Sequence, residues 1–281
     1  MKRLDPFVHL HSHTEYSLFD GISRIGELVS HVKEMGQTAL AITDHGVMYG
    51  AVYLYKECIK QGIKPIIGCE IYVTRGSRFD KSGNGKEKLA HLILLAENNE
   101  GYQNLIKICS KAWTEGYYHR PRADHELLEK YHEGLIVTSA CVGGEVPQAI
   151  LNGDMDEARK VIEFYINTFG KDNYFLEIQN HGLPEEAAVR PVLASLAKEY
   201  GLGLVATNDF HYTKKEDARS QEIKLCISTG KTLDDPYHFH FANDEFYCKS
   251  GDEMRAILGN FPGAIENTRV MRTAANVELT F

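Results

Sequence analysis

Residues 7–17 read FVHLHSHTEYS, with His9, His11 and His13 at every second position. Side chains of an extended chain alternate faces, so the three imidazoles point one way and Leu10 and Ser12 the other. The inward face of a buried strand is ordinarily valine, isoleucine or leucine. Two accounts fit this face: a strand with three hydrogen-bonded histidines, or a metal site at a strand end. The motif alone does not choose between them, so the rest of the chain has to.

Short apolar runs and amphipathic stretches alternate after it. The pattern predicts strands at FVHLHSH, TALAITDH, KPIIGCEIYV, LAHLILLAE, GLIVTSAC, NYFLEIQN and LGLVATND. Between most of them lie helical patterns. In IGELVSHVKEMG the apolar Ile25, Leu28, Val32 and Met35 recur at three- and four-residue steps before Gly36, and AVYLYKECIKQG, GYQNLIKICSKAW, MDEARKVIEFYINTFG and EEAAVRPVLASLAKEYG behave alike. Asp154 and Glu157 have the spacing of an N-cap and its capping-box partner. This alternation predicts an α/β fold on a mainly parallel sheet, open or closed into a barrel. The polar, basic stretch TRGSRFDKSGNGKEK (74–88) reads as an exposed loop; if the strands flanking it pair as a hairpin, Glu70 and His91 approach each other. From about residue 214 the alternation stops, leaving helices near EDARSQEIKLCIST and GDEMRAILGNF around KTLDDPYHFHFANDEFYCKS.

With 281 residues, of which 43% are hydrophobic, the chain is long enough for one large core. No apolar run approaches the roughly 18 residues that span a membrane, and MKRLDPF lacks a signal-peptide core. Six scattered cysteines without a C-x-x-C pair predict a reducing, cytoplasmic setting. The net charge of −8 argues against tight autonomous binding of nucleic acid, although bound cations could still hold a phosphodiester locally.

Candidate ligands recur where strands end and loops begin, the place where barrels gather their chemistry. His11 and His13 end the first predicted strand and Asp20 follows in SLFDG. Asp44 and His45 end the second, Glu70 lies in the third, His91 opens the fourth, Cys141 ends the fifth, His181 ends the sixth, and Asp209 and His211 close the last. Each has a dull explanation taken singly; together they require the same accident seven times. One zinc takes four ligands, so a donor set this large is enough for two or three divalent cations, with a bridging carboxylate holding a pair about 3.5–4 Å apart. Mixed imidazole and carboxylate ligation suits Zn, Mn or Fe better than Mg, and the thiol favours Zn at one position.

The segments HLHSHTEYSLFDG, AITDHG, GCEIYV, SACVGGE and ATNDFHY resemble the successive motifs of the polymerase and histidinol phosphatase (PHP) family. FVHLHSHTEYSLFDGISRIGELV, GYYHRPRADHELLEKYHEGLIVTSAC, STGKTLDDP, and AIENT followed by NVELTF are similar to the N-terminal PHP domain of bacterial DNA polymerase III alpha subunits, over essentially the whole chain. The resemblance implies a distorted seven-stranded (βα) TIM-like barrel over residues 1–213. Residues 214–281 would be an extension leading toward a polymerase palm, and the chain a domain cut from a longer DNA-directed DNA polymerase. It also implies three cations: the first on His11, His13 and Asp209, with Glu70 bridging to a second on His91 and Cys141, and a third on Asp20, His45 and His211. All nine positions carry a competent ligand. The implied activity is that of a metal-dependent phosphoesterase, concretely a 3′–5′ proofreading exonuclease acting on DNA 3′ ends. The expected partners are the rest of the polymerase chain and the replisome subunits. Two rival readings are a histidinol-phosphatase-type phosphomonoesterase and a non-catalytic, metal-holding structural and docking module.

Other residues carry weaker expectations. His9 is expected to be packed, Asp44 to orient His45, and His181 to sit on the rim. His238 and His240 repeat the H-x-H pattern with no strand-end carboxylate, which favours ordinary packing. Arg75, Arg78, Lys81, Arg120 and Arg122 could meet a phosphate, but solvated loop charge is the favoured account of them.

Overall fold

Seven strands share one sheet in the computed structural model, which describes residues 5–82 and 89–281. They are β1 (Ala39–Ile42), β2 (Lys64–Val73), β3 (Ala90–Ala96), β4 (Arg122–Ala123), β5 (Leu135–Thr138), β6 (Tyr174–Ile178) and β7 (Gly203–Ala206). The order is β1-β2-β3-β5-β6-β7, with β4 attached to β2. All pairings are parallel except those of β3, which runs antiparallel to β2 and to β5. The α/β class and the curled, distorted barrel sheet are therefore as the sequence implied. Because β3 is reversed, its first residues lie beside the C-terminal half of β2, which brings His91 toward Glu70: Tyr72 is paired with His91 and Glu70 with Ile93. Residues 83–88 of the 74–88 loop lie outside the described residues.

The opening histidine segment corrects one expectation: it is extended but does not form a strand. It touches the sheet through single bridges, His9 to Leu40 of β1 and Ser12 to Phe210 just beyond β7. Ala41 N donates to His9 O (3.0 Å), and four residues later His13 N donates to Phe210 O (2.9 Å). Having changed partners within a few residues, the segment cannot build a continuous ladder. It instead ties the two edges of the sheet together, which is what curls the sheet.

Ten helices occur among the described residues: α1 (Ile25–Glu34), α2 (Ala51–Gln61), α3 (Asn99–Thr114), α4 (His125–Lys130), α5 (Glu145–Leu151), α6 (Met155–Phe169), α7 (Pro184–Tyr200), α8 (Ala218–Thr229), α9 (Gly251–Leu258) and α10 (Glu266–Ala274). The periodicity of α1 places Ile25, Leu28, Val29 and Val32 in one cluster with Leu40 and Ile42 of β1 and Leu54 of α2. Asp154 caps α6, accepting from Glu157 N at 3.0 Å. β3 divides the core: Leu92 and Leu94 pack with Leu105 and Ile108 of α3, while Ile93 and Leu95 join Leu10, Ala41, Ile66, Ile136 and Val205. Burying each such side chain contributes about 1.5–3 kcal/mol.

Residues beyond 214 are fastened back onto the sheet. Asn208 Nδ2 donates to Tyr247 O (2.7 Å), Lys64 Nζ to Arg272 O (2.7 Å) and Gly251 N to Asp5 Oδ2 (2.7 Å). Among the described residues, no helix is long and apolar enough to cross a membrane.

Candidate metal centre

All nine predicted donors meet at one end of the sheet. The loop before α1 supplies His11, His13 and Asp20, the turn after β1 supplies His45, β2 supplies Glu70, β3 supplies His91, the turn after β5 supplies Cys141, and the segment after β7 supplies Asp209 and His211. Glu70 is buried at the centre. Its Oε2 lies 3.0 Å from His13 Nε2, 3.2 Å from His11 Nε2 and 3.0 Å from His45 Nδ1, and its Oε1 lies 2.7 Å from His91 Nδ1. Asp209 Oδ1 lies 3.1 Å from His11 Nε2 and 3.0 Å from His13 Nε2. Asp20 Oδ2 faces His45 Nε2 at 3.1 Å and His211 Nε2 at 3.9 Å. The His13 ring stacks between those of His45 (4.2 Å) and His211 (4.3 Å).

Three groups of donor atoms are close enough to share a cation: His11, His13, Glu70 and Asp209; His13, Asp20, His45 and His211; and His45, Glu70 and His91. The first equals the first predicted set. The second is the third predicted set with His13 added. The third holds Glu70 and His91 of the predicted middle set, with His45 in addition. Cys141 stands just outside these groups, its Sγ 3.7 Å from His91 Nδ1 and 4.0 Å from Glu70 Oε1.

Apart from the hydrogen bond between His11 Nε2 and Glu70 Oε2 (3.2 Å), several of these atoms converge without pairing. His13 Nε2, His45 Nδ1, Asp20 Oδ1 and Asp209 Oδ1 are buried without an aligned hydrogen bond, although three of the four lie about 3 Å from an opposite group. The outer ring nitrogens point the same way. His11 Nδ1 faces Glu177 Oε1 at 2.7 Å and His211 Nδ1 faces the Asp209 carbonyl at 2.8 Å. Both partners only accept, so each Nδ1 carries the proton and each Nε2 offers its lone pair to the cluster when the ring is neutral. His13 Nδ1 meets Ser17 Oγ at 2.9 Å, and the same hydroxyl receives His45 N at 3.0 Å.

Electrostatics favour cations here. Burial raises the Glu70 and Asp209 carboxyls, but the facing histidines hold both well below the carboxylate range. Burial pushes His11 and His45 down, yet Asp209 and Glu177 around the first and Asp20 and Glu70 around the second hold them well above an ordinary imidazole. His211, desolvated and facing His13, falls to about 4. Burial and the nearby Asp209 and Glu70 push the Cys141 thiol well up, so the thiolate form calls for a cation beside it. Buried carboxylates are tolerated only when paired, and a donor set of this chemistry fits divalent metal ions.

The backbone is held in costly shapes around the centre. The non-glycine residues with left-handed φ among those described are Asp209 (40°), Ala140 (59°) and His119 (60°). The first is a donor and the second precedes one, as expected where a fold stores strain at a functional site. Gly46 has φ 64°, and a Cβ there would meet Pro121 Cγ at 2.7 Å, so the turn that carries His45 requires glycine.

Sequence reasoning missed Glu177. Its Oε1 also accepts from Gln179 Nε2 at 2.9 Å and from the Thr207 hydroxyl at 2.5 Å, and its Oε2 from the Thr138 hydroxyl, so a closed polar network backs His11. The only signal was one carboxylate inside the apolar strand YFLEI. Asp44 corrects an expectation: it accepts from Thr14 N (2.7 Å) and Thr14 Oγ1 (2.8 Å) instead of orienting His45. His181 follows the end of β6 as expected but is buried, with Nδ1 on Glu186 Oε1 (2.5 Å) and Nε2 on Asn208 O (2.7 Å). His9 is packed as expected, with Nε2 2.7 Å from Lys249 O and its ring edge-on to Phe7 and Phe210. His238 pairs with Glu222 Oε1 at 2.8 Å and His240 is exposed, so the second H-x-H builds no donor cluster among the described residues.

Two of the arginines are not solvated charges. Arg78 is buried against Asp124 Oδ1 (2.8 Å) and Glu115 Oε2 (2.9 Å). Arg122 is buried and donates to the carbonyls of Gly116, Arg78 and Asp80. Arg75 and Lys81 are exposed as expected, and Arg120 lines a cavity of about 700 Å³ that opens onto Asp20, His45 and His91.

Imidazoles, carboxylates and a thiol converging at the mouth of a curled α/β sheet define a domain with a donor set able to hold metal ions, and comparison with known proteins says which family it is. The chain belongs to the PHP domain family, which matches residues 9–181. It is 47% identical to the DNA polymerase III subunit alpha of Treponema pallidum over 274 residues, 97% of this chain and 23% of that protein. It is 50% identical to the DNA polymerase III subunit alpha of Thermus aquaticus over 256 residues, 90% of this chain and 21% of that protein. The chain thus spans less than a quarter of the length of these relatives. Among solved structures it is similar to an amidohydrolase from Chromobacterium violaceum (TM-score 0.48, 15% identity, 77% of this chain and 96% of that one).

Proposed function

We propose that this chain is a metal-dependent phosphoesterase domain of a replicative DNA polymerase, hydrolysing DNA phosphodiesters from the 3′ end as a proofreader. The observation that carries the reading is the convergence of His11, His13, Asp20, His45, Glu70, His91, Cys141, Asp209 and His211, with buried ring nitrogens and carboxylate oxygens left unaligned between them. In this reading these nine residues hold up to three divalent cations, of Zn, Mn or Fe, and residues 1–213 are the metal-holding barrel from which 214–281 lead toward the polymerase. Cations held there supply Lewis acidity and an acidified water. The chain's own part is to fix the donors: Glu177 locks the tautomer of His11, Ser17 anchors His13 and the turn to His45, and Glu70 joins two of the three donor groups. The cavity over Asp20, His45 and His91 gives a phosphodiester access, with Arg120 on its wall to meet a phosphate oxygen.

The test is release of the terminal nucleotide from a 3′-mismatched primer by metal-loaded protein, with Asp209→Asn and His13→Ala as controls. Hydrolysis that both variants abolish supports the reading. Equal rates in parent and variants contradict it. Hydrolysis of a phosphomonoester but not of the primer would move the assignment to a phosphatase. Full metal occupancy with no hydrolysis of either would make the domain a structural and docking module.

A further inference from the structure

We propose that Trp113, Tyr117 and Arg120 form a binding path for single-stranded nucleic acid leading into the cavity over the metal centre, which rests on the phosphoesterase reading and names its substrate class. Trp113 is the chain's one tryptophan. It lies in the last turn of α3, and its ring is parallel to that of Tyr117, with centroids 5.3 Å apart and planes at 11°. Both are well exposed, at 41% and 47%. A lone exposed aromatic needs no explanation, but this pair is fastened to the site: Trp113 Nε1 donates to Gly46 O at 2.8 Å, and Gly46 follows the donor His45.

The chain then turns sharply toward the cavity. Tyr118 N donates to Arg120 O at 3.1 Å, and His119 between them takes a left-handed φ of 60°. A histidine kept in that conformation is strained, and the turn it makes sends Arg120 to the cavity wall. The guanidinium lies 4.2 Å over the exposed Phe19 ring and 5.7 Å from Tyr72, beside His45 and His91. Among the described residues Arg120 has no carboxylate partner, whereas Arg78 is held by two.

Stacked aromatics that precede by three residues an arginine with no carboxylate partner match the two repeating parts of a single strand. Bases of any sequence stack on aromatic faces, and the backbone phosphates take the planar guanidinium. With a net charge of −8, diffuse attraction is weak, so stacking has to supply more of the affinity. A small phosphomonoester would reach the cavity alone; a strand also reaches the aromatic pair.

The test reads Trp113 fluorescence while metal-loaded protein is titrated with oligothymidylate carrying phosphorothioate linkages throughout, so that binding is seen without turnover. The expected result is saturable quenching by the oligonucleotide and none by inorganic phosphate. Tyr117→Ala and Arg120→Ala, both outside the buried core, should each raise Kd by about tenfold. No quenching, or an unchanged Kd in both variants, overturns the path. Hydrolysis of the ordinary oligonucleotide is measured in parallel. Binding that depends on Tyr117 and Arg120 without hydrolysis supports the path and removes the phosphoesterase reading. Hydrolysis indifferent to both substitutions keeps the metal-dependent phosphoesterase reading without the Arg120 contact and removes the path.

Discussion

Glu177 Oε1 lies 2.7 Å from His11 Nδ1, on the opposite side of the ring from Glu70 and Asp209. A carboxylate there fixes both the tautomer and the aim of the imidazole, and such partners typically matter 10- to 100-fold in metal affinity. Glu177→Gln should therefore weaken the tightest metal by about tenfold or more while leaving the fold intact. Competition against a chromophoric chelator measures this, and an unchanged affinity would make Glu177 a packing residue.

Metal affinity should fall with acidification. His11, His13 and His45 are all held above the ordinary imidazole range in the metal-free chain by the carboxylates around them, despite burial. A cation takes the lone pair that a proton occupies, so protons leave as metal enters. Lower pH favours the protonated free protein, and affinity should drop by about tenfold per pH unit for each proton displaced. Calorimetry in two buffers of different ionisation enthalpy checks the sign; identical heats in both would contradict it.

Gly46→Ala forces a Cβ into left-handed backbone and against Pro121. The expected loss is about 1–3 kcal/mol of stability, read as a lowered urea midpoint. His45 sits on the same turn, so metal affinity should weaken alongside.

Arg78→Ala would take the guanidinium from buried Asp124, which also caps α4 through Leu127 N, while Glu115 keeps Lys111 Nζ at 2.5 Å. Breaking a buried pair costs about 3–5 kcal/mol. Denaturant unfolding should show a loss of that order, where a solvated loop charge would show almost none.

Most of the sheet was legible because its strands are short apolar runs between amphipathic helices, and KPIIGCEIYV is β2 from end to end. The two-residue β4 and the short α4 and α5 were not, since none of the three spans enough residues for a period to register. The nine donors were found through strand ends and resemblance, but the residues behind them were not. Asp44 was placed beside His45 by adjacency in sequence, yet neighbours on extended chain point to opposite sides, and Asp44 turned to Thr14. Glu177 reaches His11 across 166 residues of chain, a relation that no local pattern carries. Arg78 and Arg122 read as solvent charges because loops are usually wet; here they satisfy carboxylates and carbonyls that the loop itself buries.

If Glu70 and the donors around it hold several cations, the reconstituted, desalted protein should carry about two to three divalent ions per chain by plasma mass spectrometry, with at least one lost in His13→Ala, whose ring belongs to two of the three donor groups. Less than one ion per chain in the parent, or the same content in His13→Ala, would contradict it.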